Sequence, residues 1–384
     1  VTADTDFAKV VKTINASKDE GEHVIELHDD ITLKDNYTLT NDKATTIKTT
    51  TIKGEGHTIF VEPNAGITVT GKGNVLNLGA EGYKGTLTID RDPRDENPRG
   101  AFITVSGGAT ANMYGNVTLQ NGQFAGNACV VVKGLKLGTG PNSAFNMDGG
   151  VIEKCSRAVI VDSGATFNMS RGEIRNCGGD RGRVSGNDGG VHVYGATFVM
   201  SGGTISGCTA DTGGGLCAEK SSTVTISGGT ISGCSASKGG GLYAENSTLT
   251  ISGGTIKGNK AAYGGGVALV KSKVKVEEPI TNWTVVDNEA YKTDTGSGYI
   301  GGGIYLESGS MDVSNGSNKI YNNTADGHGA DICLTDDTSS IKLPNAANMG
   351  ATYRDSGINI DGWYKDDNPR YTPSESGVPV KVDG

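Results

Sequence analysis

Residues 227–259 read SGGTISGCSASKGGGLYAENSTLTISGGTIKGN, and the opening eight residues return almost unchanged at 252–259. Ser227-Gly228-Gly229-Thr230-Ile231-Ser232-Gly233-Cys234 comes back as Ser252-Gly253-Gly254-Thr255-Ile256-Lys257-Gly258-Asn259. A chain that repeats a short unit this closely builds one small motif many times, because no single copy can bury its own apolar face. Outward from this pair, the Asn or Cys that ends each run forms a column: Asn121, Cys155, Cys177, Cys208, Cys234, Asn259, Asn288 and Asn323. The core unit is about 22–26 residues, with insertions in some copies.

Each unit holds three short runs that alternate apolar with polar residues. The first follows a glycine cluster (GGVHVYG, GGGLCAE, GGGLYAE, GGGVALV, GGGIYLE), the second follows Ser/Ala-Thr (ATFNMS, ATFVMS, STVTIS, STLTIS), and the third is the GGTIS run itself. Runs this short with period two are strands. Three strands per turn, each stacking on its counterpart in the next turn, predict an all-β fold: a right-handed parallel β-helix of roughly ten to twelve coils. The right hand follows from the general preference of parallel crossovers. Leu216, Leu242, Val267 and Ile304 would form one inward stack, and Ile205, Ile231 and Ile256 another, at the ~4.8 Å strand spacing.

The ends fit the plan less regularly. ADTDFAKVVKTINAS at 3–17 places Phe7, Val10, Val11 and Ile14 on one helical face, with Asp4 or Thr5 as the expected N-cap. Such a helix would cover the open end of the solenoid, where apolar core and strand edges are otherwise bare. The expected organisation is an N-terminal cap with first strand over 1–30, a β-helix over 31–343 with its clearest repeats at 115–335, and a C-terminal cap and linker over 344–384. Both ends read as those of a fragment cut from a longer exported protein.

Composition narrows the function. Gly is 61 of 384 residues while Pro is only 9, which excludes collagen and disordered Pro/Gly-rich chains. The net charge of −9 is mixed in sign and no Lys/Arg block reads as a phosphate-binding patch, so nucleic acid is not an expected partner. No run of 18 apolar residues spans a membrane. A monomer is expected.

Seven cysteines leave at least one unpaired within the chain. Four of them, Cys155, Cys177, Cys208 and Cys234, occupy consecutive rungs of the Asn/Cys column, close enough for neighbours to bond. The alternative is an interior structural ladder in which Cys serves as a small apolar residue and Asn hydrogen-bonds between turns. Free exchange of Asn and Cys, and the lack of zinc-type spacing, favour the ladder.

Acidic clusters are the candidates for catalytic or metal sites. Asn323-Thr324-Ala325-Asp326-Gly327-His328-Gly329, followed by Asp336-Asp337, resembles fragments of polygalacturonase-like hydrolases. Here Ala325 interrupts the first element, the Asp pair follows the His, and the Arg-Ile-Lys element is absent. Inverting hydrolysis needs two carboxyls across a sugar, which Asp326, Asp336 and Asp337 could supply, with His328 a further candidate in the same stretch. A lyase would need Ca²⁺ and a base, and the insertion containing Asp90, Asp92 and Asp95 has such ingredients. Consecutive mixed charges are more often a solvated loop. The expectation is therefore no catalytic residues, no metal and no cofactor, with Ca²⁺ at the acidic insertion as the alternative.

The chain spends its extra length between the Asn/Cys column and the glycine-cluster strand. Insertions at 178–190 and 288–303, with shorter loops between, stack on one side and present Arg181, Arg183, Asp188, Asp211, Lys238, Tyr263, Tyr291 and Tyr299. Loops on a rigid scaffold carry binding residues, and Tyr with Arg is the mixture favoured at contacts.

The units GGTISGC…GGGLCAE and GGTIKGN…GGGVALV resemble repeat-bearing right-handed β-helix surface proteins of gut anaerobes, and the passenger repeats of polymorphic outer-membrane proteins. That resemblance implies export, surface display and adhesion, and offers no catalytic residues. The expected function is an extracellular bacterial surface protein, secreted or displayed on the cell surface: a non-catalytic adhesin or display stalk binding glycan or host protein along the loop edge. A polysaccharide lyase or glycoside hydrolase acting on uronate-containing polysaccharide is the alternative.

Overall fold

The computed structural model describes residues 1–17, 21–41, 47–91, 100–122, 128–135, 142–178, 189–275, 282–291, 299–312, 318–327, 329–335 and 338–343. Of the remainder it describes only the backbone strands Ala351–Tyr353, Asn359–Ile360, Tyr364–Lys365 and Asn368–Pro369. The chain forms an all-β parallel solenoid with one helix near its N-terminus. It divides into two units, 1–179 with 190–199 and 180–189 with 200–384.

In the first unit the helix Asp4–Ala16 buries Phe7, Val11 and Ile14. Its N-cap is Ala3, extended and without a side-chain cap, not Asp4 or Thr5. Asp4 and Asp6 lie inside the first turn, where their charge offsets the helix dipole instead. The far end is held from below: buried Lys48 Nζ donates to the carbonyls of Ile14 (3.0 Å) and Ser17 (3.1 Å). Asn15 covers the edge of strand Asn36–Thr40. Its amide donates to Thr38 O at 2.7 Å while its Oδ1 accepts the Thr40 N–H at 3.0 Å, as a neighbouring strand would.

Behind the helix, parallel strands stack in register. Ile25 lies on Ile52 and Ile52 on Leu78, and Met113, Met147 and Met169 continue that column. Phe145, Phe167 and Phe198 stack with centroids 5.2 and 5.1 Å apart, fully buried. The second sheet aligns Ile67, Ile103, Val130 and Val159, and beside them Val69, Val105, Val132 and Val161. Each such side chain contributes roughly 1.5–3 kcal/mol when wholly removed from water.

The second unit repeats the scheme more strictly. Leu216, Leu242, Val267, Ile304 and Ile332 form one inward column, and Ile231, Ile256, Val285 and Ile320 another. The corner before each first-column strand requires glycine. Gly213, Gly239, Gly264, Gly301 and Gly329 all have φ between 62° and 69°, and a Cβ on Gly239 would land on the Leu242 carbonyl oxygen. A third, three-stranded sheet joins Lys260–Ala261, Glu289–Ala290 and Thr324–Ala325. Past Leu343 antiparallel pairs enter, with Ile341 opposite Tyr353 and Ile332 opposite Ile360, while Tyr364 still pairs parallel with Tyr321. These reversed strands cover edges that the parallel stack leaves open.

Candidate functional site

The Asn/Cys column divides by chemistry. In the second unit Asn259 donates its side-chain amide to Asn288 Oδ1 (3.0 Å), Asn288 to Asn323 Oδ1 (2.9 Å), and Asn323 to Asp331 Oδ1 (2.8 Å). Each acceptor also takes a backbone N–H from the same rung as its donor, and each amide donates a second time to a backbone carbonyl: Ile231, Ile256 and Val285 in turn. All four side chains are buried. This ladder satisfies polar corners that would otherwise be orphaned in the interior. Cys208 and Cys234 continue the column as buried thiols, and the Cys234 pKa is raised by its hydrogen bond to Cys208 and by burial.

In the first unit Cys155 is disulfide-bonded, but to Cys129, which lies outside the column. Cys177 is a free, buried thiol. Asn121 is offset from the interior positions. It holds φ +58, the left-handed corner that Lys154 and Asn176 occupy one residue before Cys155 and Cys177, and its amide donates to Asp90 Oδ1 at 2.8 Å.

The loop edge takes shape in the second unit. Thr212, Lys238, Tyr263 and Ile300 form successive parallel bridges, so one side chain from each loop lines up along the edge. Lys238 Nζ lies 5.6 Å from the centroid of the Tyr263 ring, and Tyr263 meets Tyr305 edge-to-face at 5.4 Å. Both are favourable contacts, each worth about 0.5–1.5 kcal/mol. Tyr299 holds φ +54, which is costly for a bulky side chain. Its carbonyl accepts the Gly327 N–H at 2.9 Å, which ties the strained residue to the next turn. Asp211, Tyr291 and Tyr299 are half-buried beside them. Arg181, Arg183 and Asp188 lie outside the described residues.

Sequence reasoning overlooked the wall of this edge. Cys217, Tyr243, Ala268, Val270 and Tyr305 form a cluster of buried residues, with Tyr263 and Ile300 packed against it. Tyr243 and Tyr305 donate their hydroxyls to Glu245 (3.3 Å) and Glu307 (2.9 Å). Burial, followed by these carboxylates, pushes both phenol pKa values upward. The available signal was the column itself, since Tyr243, Ala268 and Tyr305 share one register and only Ala268 lacks a large side chain.

The acidic candidates are differently placed. Asp90 has both oxygens engaged: Oδ1 accepts from Asn121 and from the Arg91 N–H, and Oδ2 from Gln120 at 2.7 Å. Such a carboxylate braces two strands. Asp326 is exposed on the loop after the third sheet, its N–H bonded to Ala290 O at 2.9 Å. Asp92, Asp95, His328, Asp336 and Asp337 lie outside the described residues.

Residues 141–325 match the family model of the right handed beta helix region. That assigns the hand which stacking register alone leaves open, and the solenoid is a right-handed β-helix repeat protein. No curated protein and no solved structure matches the chain. No helix among the described residues is long and apolar enough to cross a membrane, which says nothing of β-barrels.

Proposed function

We propose that the protein is an extracellular bacterial surface adhesin or display stalk, without catalysis of its own, that binds glycan or host protein along the loop edge of its second unit. The observation that carries this reading is the in-register series Thr212, Lys238, Tyr263 and Ile300 backed by Tyr305. A rigid scaffold there presents aromatic faces beside a cation, the composition that contact surfaces favour. The left-handed Tyr299 on the same edge adds support, because backbone strain concentrates where function requires it. Of the acidic candidates, Asp90 is fully committed to neighbouring amides, which counts against it as a metal ligand. The Cys129–Cys155 disulfide supports an oxidising compartment, and so export.

The test is incubation with polyuronides, glycosaminoglycans and mucin, with and without Ca²⁺, reading bound protein and released sugar ends together. Binding without release, weakened at least tenfold by Lys238→Ala with Tyr299→Ala, is the expected result. Release of unsaturated or reducing ends would overturn it in favour of a lyase or hydrolase.

A further inference from the structure

Cys129, Cys155 and Cys177 all belong to the first unit and all are buried, none more than 2 % exposed. The disulfide joins Cys129, which leads into the second-sheet strand Val130–Lys133, to Cys155, which follows the first-sheet strand Ala144–Glu153. Cys177 occupies the rung directly after Cys155. Ile152 pairs with Ile174 and Glu153 with Arg175, and the register continues as Lys154 N–H donates to Arg175 O (3.3 Å) and Gly178 N–H to Cys155 O (2.8 Å). The Cys177 thiol donates to Arg175 O on its own rung and reaches Ile152 O, a carbonyl of the Cys155 rung, at 3.9 Å. Adjacent rungs are ~4.8 Å apart, inside the Cα range of a disulfide. Cys155 therefore has, besides its bonded partner Cys129, a second cysteine on the adjacent rung at a backbone spacing that a disulfide tolerates.

We propose that Cys177 is the resident nucleophile for this disulfide, so that Cys155 exchanges partners inside the fold. Cys177, as thiolate, attacks the Cys155 sulfur; the Cys155–Cys177 bond forms as the Cys129–Cys155 bond breaks. The electron pair leaves on Cys129, which takes up the proton that Cys177 gave up. Oxidation state is conserved, so no outside oxidant or reductant is needed. Fixed proximity replaces a bimolecular encounter. The loops closed by the two isomers span 26 residues and 22 (177 − 155), so loop entropy scarcely separates them. Exchange shifts the link from one joining two sheets to one joining consecutive rungs of a single column, and it frees the thiol ahead of Val130–Lys133.

The test uses the oxidised wild-type chain, freed of small thiols and held at mildly alkaline pH to populate thiolate. Samples are acid-quenched, alkylated and peptide-mapped without reduction over time. The expected result is a loss of the 129–155 linked peptide matched by an equal gain of the 155–177 linked peptide and of alkylated Cys129, with no such change in Cys177→Ser. A wild-type map that keeps 129–155 alone at all times overturns the proposal, even if Cys129→Ser bonds 155 to 177 during oxidative refolding. Because the wild-type time course decides, a variant that fails to fold does not obscure the answer.

Discussion

Asn323 donates its side-chain amide to the buried carboxylate of Asp331 at 2.8 Å, and its backbone N–H bonds the same oxygen at 3.2 Å. The interior ladder that begins at Asn259 thus ends on an aspartate side-chain oxygen only eight residues from its last rung. Every donor along it points the same way, toward Asp331.

Removing that acceptor should be costly. Asp331→Ala takes the acceptor from the buried Asn323 N–H, while the Asn323 amide keeps the Val285 and Tyr321 carbonyls, for an expected loss of about 1–3 kcal/mol. Asp331→Asn keeps an oxygen in place and should lose less than half as much. Asn288→Ala should cost about 2 kcal/mol for the same reason, and Asn288→Cys less, since Cys already occupies this column at Cys208 and Cys234. Denaturant unfolding of the four variants, compared at equal m-value, checks the order.

The N-terminal helix depends on Lys48. Lys48→Met retains the apolar stem but removes the ammonium from the Ile14 and Ser17 carbonyls. About 1–3 kcal/mol of local stability should go with it. Hydrogen exchange should show amides of 4–16 opening roughly tenfold or more faster, with Phe145 and Phe167 strands unchanged.

Acid stability has a surface contributor in Asp148. Arg171 reaches both its oxygens, at 2.8 and 2.6 Å, and with Ser170 draws its pKa from 3.8 down to about 2. A folded pKa below the unfolded one means the contribution is complete above pH ~4 and is lost as pH falls through about 2. Arg171→Gln should raise the Asp148 midpoint toward its ordinary value and flatten this part of the acid profile. A carboxyl-detected NMR titration reads the midpoint directly, and a midpoint unmoved by Arg171→Gln would refute the assignment.

Two glycines with the same backbone angle should respond differently to alanine. Gly239 and Gly258 have φ of 62° and 61°, but a Cβ meets the Leu242 backbone at the first and open space at the second. Gly258→Ala should cost only the left-handed penalty of about 1 kcal/mol, and Gly258→Asn less, as Asn322 already serves at the equivalent corner. Gly239→Ala should cost about 2–4 kcal/mol. Thermal unfolding of the two alanine variants should therefore separate by several degrees.

What the sequence by itself determined is the solenoid: the period, the three strands per turn, the inward columns led by Leu216 and Ile231, and the glycine corner before each first-column strand. These are properties of spacing, and a strand buries one face or the other according to parity alone. Only the tertiary structure decided which partners meet. It joined Cys155 to Cys129, although Cys177 is its neighbour in the column. It moved Asn121 one residue out of the interior, onto a left-handed corner. It brought Tyr243 and Tyr305, on the outward face of a strand, into a cluster against which Tyr263 packs. In each case the deciding contact joins residues separated by tens of positions, through loops whose course the repeat does not encode. Periodicity states which way a side chain points, whereas packing in three dimensions selects what it touches.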